Sequence, residues 1–323
     1  MSRTQPPLIS VLLVVRDVQA TIERTVQSIL DQTVSDFELI ILDDGSTDAT
    51  LATITAFRDA RVRVIADDHW LGLAARLNQG LDQARGEFVA RMDGDDIAYP
   101  QRFERQLAYL RDHPEVDLLG ASVLVFRGDG TAIGVRKPPE AHGDICRAVH
   151  GFSIAHPTYF GRTAWFRQFR YAEDMRRAQD QDLLLRAHFS SRFANVPEIL
   201  LGYREETVSM KKSFEGRRAF TRSIVRAYGS RGAYHRVLEG VVVQSAKLAI
   251  DGIAVLTGSS AVLLKHRAAA ASQAEINQWL HVWAHVTRAL QERPPYRATL
   301  GTSEPPTVHA AGSSRPDDPS STV

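Results

Sequence analysis

The first hundred residues alternate between continuous apolar runs and stretches with helical spacing. Leu8 to Val15 is almost wholly apolar and rich in Val and Leu, which predicts a central parallel strand buried on both faces. Val18 to Gln32 follows with Ile22, Val26, Ile29 and Leu30 on one helical face. Phe37 to Leu42 predicts a second buried strand, Ala49 to Arg58 a helix, Val62 to Ile65 a third strand, Leu71 to Ala84 a helix and Phe88 to Met92 a fourth strand. Strand and helix in strict alternation predict an α/β doubly wound sheet with right-handed crossovers.

Past this point the pattern loosens. Pro100 opens a helix to Asp112, since proline suits a first helical turn. Strands are expected at Val116 to Phe126, after a Gly128-Asp129-Gly130 turn at Thr131 to Val135, and at Ala155 to Phe160. Helices at Thr163 to Phe169 and Asp180 to Phe189 precede strands at Phe193 to Val196 and Ile199 to Tyr203. From Phe214 onward the pattern is helix without strand. Trp279, Val282, Trp283 and Val286 form a stripe expected to be core, and the Pro-, Ser- and Thr-rich end is expected to be disordered. The expected organisation is a catalytic domain at 1–210 (halves at about 7–97 and 98–205), a helical region at 211–292 and a tail at 293–323.

Composition narrows the function. The 323 residues are 44% hydrophobic and 24% charged, with a net charge of +1. This is globular composition, and it gives no reason to expect nucleic acid as a partner. The one cysteine, Cys146, excludes an internal disulfide framework and fits a reducing cytosol. Met1 to Pro7 has no apolar signal core, and no apolar run is long enough to span a bilayer. A cytoplasmic protein is expected. Arg218, Arg222 and Arg226 share a helix face next to the apolar stretch Leu238 to Leu264. They suggest peripheral contact with the inner face of an anionic membrane, or else a soluble subdomain packed on the first.

The polar residues that end the strands carry the chemistry. Arg16-Asp17, Asp43-Asp44 and Asp93-Gly94-Asp95-Asp96 follow the first, second and fourth strands, and parallel sheets bind ligands at that rim. Carboxylates as dense as Asp93, Asp95 and Asp96 repel unless a cation compensates them. Mg²⁺ or Mn²⁺, which take oxygen ligands and substrate phosphates, would do so. A plain acidic turn is the alternative for each cluster taken singly.

Taken in order, these residues resemble the inverting family-2 glycosyltransferases of the GT-A fold, of the non-processive bacterial type, over about Pro7 to Tyr203. Phe37 to Asp48, ending Leu-Asp-Asp-Gly-Ser-Thr-Asp, is similar to that family's nucleotide-binding segment. Leu71-Gly72-Leu73-Ala74 with Asn78, Gly80 and Ala84-Arg85-Gly86-Glu87 is similar to the approach to its acidic motif, which Asp93-Gly94-Asp95-Asp96 resembles. Ala178-Gln179-Asp180-Gln181-Asp182 is similar to the segment bearing its base. The resemblance implies a mixed sheet flanked by helices, with a C-terminal helical region. It also implies transfer from a UDP-, dTDP- or GDP-linked sugar to a carbohydrate or lipid-linked acceptor, in cell-surface polysaccharide or glycolipid synthesis.

By the same resemblance Asp95 is the direct metal ligand, with Asp93 and Asp96 in support or on sugar hydroxyls. Asp180 is the general base, although it could instead cap its helix. Asp43 and Asp44, with Asp17, would accept hydrogen bonds from the nucleobase or ribose; one of the first two could merely cap the next helix. Arg76 would meet the diphosphate, unless it lies on a solvated helix face. His156, in a His-Pro-Thr triplet, would help bind metal, phosphate or acceptor, or be structural. The chain departs from the family at Arg16-Asp17, where Tyr-Asn is common, so that Arg16 would stack on the base. It departs also at Gln179, where Glu is common. It lacks the Gln-x-x-Arg-Trp of processive synthases. A nucleotidyltransferase would want a glycine-rich basic loop after the first strand, and Val14-Val15-Arg16-Asp17-Val18 has no glycine. A non-catalytic binding module would not need Asp95 or Asp180.

Overall fold

The apolar runs become four parallel strands, β1 (Ile9–Val15), β2 (Phe37–Asp44), β3 (Val62–Asp67) and β4 (Phe88–Asp93), paired in the order β3-β2-β1-β4. The computed structural model describes residues 5–205, 210–256 and 268–292. The tail expected to be disordered and positions 257–264 of the apolar stretch lie outside the described residues. Alternate side chains of β1 enter different cores: Val11 and Leu13 pack with α1 (Ile22–Leu30) and α2 (Thr50–Thr55), while Leu12 packs under α3 (Leu73–Gln83). Burial on both faces is why these strands show no alternation. Gly86 lets the α3–β4 connection lie against β1, where a Cβ would sit 2.5 Å from the Ser10 backbone nitrogen.

The parallel pattern stops at β4, so the doubly wound order holds for the first half alone and the whole is the mixed sheet that the resemblance implied. β5 (Ile97–Ala98) and α4 (Arg102–Asp112) come next, then β6 (Leu118–Phe126) and β7 (Ala132–Arg136). Beyond α5 (His142–Ile145) come β8 (Cys146–Arg147) and β9 (Gly151–Phe152), a small separate hairpin. β10 (Phe160–Arg162) then enters antiparallel between β4 and β6. The path closes with β11 (Phe193–Arg204) parallel to β6 and β5 antiparallel to β11, giving one mixed sheet of nine strands. The strand expected from Ala155 starts only at Phe160, because His156–Thr158 forms a 3₁₀ turn around Pro157. The two short strands expected after Phe193 are one strand whose register shifts between Val196 and Ile199, at Pro197.

Helices α6 (Thr163–Gln168), α7 (Gln179–Ala187) and α8 (Met210–Gly229) cover one face of the sheet with α3. α9 (Tyr234–Leu256) packs along α8. α10 (Gln273–Gln291) docks separately, opened by a capping box between Ser272 and Glu275. Trp279 is fully buried against Tyr99 and Phe126, and its indole N–H donates to the Gly130 carbonyl at 2.7 Å. Any side chain at Gly202 would strike it, the Cβ lying 2.3 Å from the indole ring. The expected Trp stripe is therefore core. One bridge, Val135 to Ala269, interrupts the all-helical reading of the C-terminal part.

Candidate active site

Parallel strands share a direction, so the carboxyl ends of β1, β2 and β4 meet on one rim. Asp17 sits in the left-handed region at φ +50°. Its Oδ1 accepts from the Thr47 N–H at 2.7 Å and from the Thr47 hydroxyl at 3.2 Å. Asp17 thus stitches the loop after β1 to the loop after β2. Asp43 accepts from the Ser46 N–H and hydroxyl. Asp44 accepts from the N–H groups of Leu71 and Gly72 and from Arg76 Nε at 2.9 Å. Neither carboxylate caps α2; Asp48 accepts the Thr50 N–H instead, at 2.9 Å.

Arg76 is fully buried, and its other nitrogens reach Gln79 and the His69 carbonyl, with Asp67 3.6 Å away. This corrects both expectations for Arg76. It neither faces a diphosphate nor lies on a solvated surface, because its charge is consumed in holding Asp44 and the 67–72 loop. On that loop stands Trp70, half exposed, with the guanidinium groups of Arg16 and Arg176 over its ring at 5.6 and 4.9 Å.

The carboxylates at the end of β4 are unevenly served by the cations around them. Arg91, buried inside the strand, grips Asp93 with both terminal nitrogens. Asp96 is buried, with Oδ1 on the Arg204 N–H at 2.9 Å and Oδ2 without a hydrogen-bond partner. Asp95 lines a narrow crevice with Thr21, Arg24, Arg204 and Trp283. Burial, then the neighbouring Asp93 charge, pushes the Asp95 carboxyl up to about 6. Burial with Asp93 and Asp95 raises Asp96 well above the ordinary carboxylate range. The three carboxylates do not converge on one point: among the described residues, the group whose ligand atoms lie within 4.8 Å of one another is Asp67, Asp68 and His69. Arg91 draws Asp93 aside, and Arg204 draws Asp96. An all-oxygen donor set, an orphaned buried carboxylate oxygen and two carboxyls raised by burial and by one another fit a hard divalent cation that would draw them together.

Asp93 and Asp180 line the same cavity, of about 810 Å³, together with Arg91, His156 and Tyr203. Asp180 lies in the first turn of α7 and is not its cap; that position is Ala178, at φ +55° and with no side-chain cap bond. A non-glycine residue held there is strained by about 1–2 kcal/mol, and such strain gathers at functional sites. Burial raises the Asp180 carboxyl, and hydrogen bonds from Gln181 with the charge of Arg91 offset part of the rise. Gln181 also accepts from the Phe152 N–H at 2.8 Å, fixing α7 to the hairpin. Asp182 turns away and pairs with Arg186 at 2.8 Å. His156 Nε2 lies 2.9 Å from the Tyr171 hydroxyl. Burial, then Arg91, lowers His156 well below its usual value, so the ring is neutral at pH 7 and brings no charge to a phosphate.

The site thus collects Asp17, Asp43 and Asp44 with Trp70 on one flank, and Asp93, His156 and Asp180 around the cavity. Arg91, Trp70 and Arg204 escaped the sequence reading as site residues. Arg91 had a signal: it is the one charge inside the run Phe88 to Met92, two positions before Asp93 on the same strand face.

The family model for "Glycosyl transferase family 2" matches residues 10–173. The chain belongs to that family. This glycosyltransferase is 34% identical over 229 residues to the putative glycosyltransferase EpsE of Bacillus subtilis, covering 68% of this chain and 80% of the relative. It is 30% identical to the O-antigen biosynthesis glycosyltransferase WbnJ of Escherichia coli, over 64% of this chain and 83% of the relative. Its fold is that of GT-A enzymes. S. aureus TarS 1-349 in complex with UDP-GlcNAc superposes with a TM-score of 0.59 at 20% identity, over 87% of this chain and 81% of that one. The mannosyltransferase PcManGT of Pyrobaculum calidifontis, in complex with GDP-Man and Mn²⁺, superposes with a TM-score of 0.54 at 15% identity, over 90% and 89%. Among the described residues no helix is long and apolar enough to cross a membrane.

Proposed function

We propose that this family-2 glycosyltransferase moves a sugar, with inversion, from a nucleoside-diphosphate sugar to a hydroxyl of a carbohydrate or lipid-linked acceptor during cell-surface polysaccharide or glycolipid synthesis. The observation that carries the proposal is the shared cavity, lined both by Asp93 at the end of β4 and by the half-buried carboxylate of Asp180. The first suits a diphosphate with its cation and the second an acceptor hydroxyl. The complexes of TarS with UDP-GlcNAc and of PcManGT with GDP-Man support the donor class.

Inverting transfer needs an attacking oxygen relieved of its proton and a leaving diphosphate relieved of its charge. Asp180 accepts the acceptor's proton at a carboxylate oxygen as the sugar–acceptor bond forms and the sugar–phosphate bond breaks. Mg²⁺ or Mn²⁺, held by Asp95 with Asp93 and Asp96, would supply charge neutralisation at the phosphates. Arg91 positions Asp93 and keeps positive charge beside Asp180. Asp43 and the loop that Asp44 and Arg76 secure frame the nucleoside, with Arg16 and Trp70 as a flat wall for the base and Asp17 closing the loop behind it. Neutral His156 would orient a hydroxyl or serve as a further ligand to the cation.

Calorimetry with UDP, dTDP and GDP, with and without Mn²⁺, tests the reading. One of the three is expected to bind in a metal-dependent way. Failure of all three removes the donor class.

A further inference from the structure

The outward face of α9 is built backwards for a soluble protein. Tyr234, Leu238, Val241, Val242, Ile250 and Ile253 are between 38% and 72% exposed, while the inward face carries the polar groups. Gln244 is buried and donates to the Val149 carbonyl at 2.7 Å; Asp251 is buried and accepts from Arg217 Nε at 2.9 Å. The other charged residues of α9 are turned aside as well. Lys247 donates to the His150 carbonyl, and Arg236 and Glu239 pair with each other beside the β8–β9 hairpin. What remains outward is a mostly apolar strip about five turns long, interrupted by His235 and Ser245. On neighbouring α8, Phe214 and Val225 are about half exposed. Next to them on that helix, Arg218 and Arg222 are exposed and have no ion-pair partner among the described residues. Arg226, expected to join them, pairs instead with Asp174 at 2.8 Å.

We infer that the α8–α9 pair seats this enzyme on an anionic lipid surface, the α9 strip entering the acyl boundary and Arg218 and Arg222 meeting lipid headgroups. The inference deepens the lipid-linked acceptor reading above, on which its purpose rests. Two amphipathic elements with opposite chemistries side by side are what an interfacial anchor needs: apolar area for insertion and cations for headgroup phosphates. A second copy of the chain fits the strip less well. Such a pairing would bury the strip but bring Arg218 and Arg222 toward like charges, and the one acidic residue of α8, Glu215, already faces Arg177 at 3.4 Å.

The test is flotation of the full chain with vesicles of phosphatidylcholine alone or mixed equally with phosphatidylglycerol, at low and high salt. Binding is expected to the mixed vesicles, at least tenfold weaker to the neutral ones, and weakened by salt. The triple variant Leu238→Ser, Val242→Ser, Ile253→Ser is expected to lose at least tenfold in vesicle affinity. Arg218→Ser with Arg222→Ser is expected to remove the preference for anionic vesicles. Both variants alter exposed side chains, and circular dichroism and nucleotide-sugar hydrolysis on the same preparations are expected to match the parent. A parent that stays unbound with anionic vesicles, or a triple variant that floats as the parent does, overturns the inference. So does a parent dimer in sedimentation that the triple variant dissolves while neither floats. If the parent floats but hydrolyses no donor, the anchor stands and the functional reading fails.

Discussion

The two rims of the parallel half hold buried carboxylates in opposite circumstances. At the start of β2, Glu38 accepts from Ser10 Oγ at 2.8 Å, Arg63 Nη1 at 2.9 Å, and the backbone, Nε and Nη2 nitrogens of Arg85 at 2.9, 3.0 and 2.7 Å. Burial works against its charge, and hydrogen bonds from Arg85, Ser10 and Arg63 overcome it, so the carboxyl lies below its ordinary range. At the carboxyl-terminal rim, Asp95, Asp96 and, across the cavity, Asp180 are all raised. The residue chemistry is the same; the supply of donors differs. Where the fold uses a carboxylate for itself, it completes the hydrogen bonding. Where it leaves one starved, a ligand is left to complete it.

The largest effect is expected from removing the starved base. Asp180→Asn should lower transfer by about 10²–10⁴-fold, with donor binding by calorimetry and thermal stability close to the parent's. Parent-like turnover would take Asp180 out of its role. The opposite split is expected at the satisfied rim. Glu38→Gln leaves two solvent-accessible arginines facing a neutral amide and should cost about 1–3 kcal/mol in denaturant unfolding, while the rate per folded molecule is unchanged.

Acidity should separate the rims next. As the proposed base Asp180 would work ionised, so its raised value would move the acid limb of the rate upward from the usual carboxylate range. Rate is expected to climb with pH through that limb, and a kcat profile placing it at or below 3.8 would contradict the burial argument. Glu38 has the reverse sign. Its folded value is depressed, so its contribution to stability is full above the ordinary glutamate value of 4.5 and is lost as pH falls through the lower folded value. Melting of the parent against Glu38→Gln, from neutral pH down to about 3, should show the gap between them closing only in acid.

The parallel rim was legible in the sequence because its logic is local. A strand buried on both faces announces itself as an apolar run, and the run's end places Asp43, Asp44 and Asp93 on one edge. β10 could not be read that way. Its place between β4 and β6 depends on pairings with residues some 40 and 70 positions away, which no local period encodes. The same holds for Arg76 on α3, whose burial follows from Asp44 at the end of β2, and for Arg204, which meets Asp96 where β11 pairs with β5. Family resemblance supplied Asp180; composition and spacing alone would have left it a helix cap, a role the structure gives to Ala178.

The smallest effect is expected where a rim carboxylate is exposed and already satisfied. Asp17 is 42% exposed by side chain and is held below its ordinary value chiefly by the Thr47 N–H. Asparagine keeps an oxygen for that N–H and tolerates the left-handed φ of +50°. Asp17→Asn should therefore leave the melting temperature close to the parent's. Asp17→Ala loses both the acceptor and the backbone preference and should lower the melting temperature measurably. If Asp17 also touches the nucleoside, Asp17→Asn will weaken donor binding in calorimetry while the melting temperature holds. The stitch through Thr47 predicts that it will not, because the oxygen nearest that loop is already engaged. A fall in donor affinity beyond about tenfold (1.4 kcal/mol) in the asparagine variant would move Asp17 from the group of satisfied carboxylates to the group that waits for a ligand.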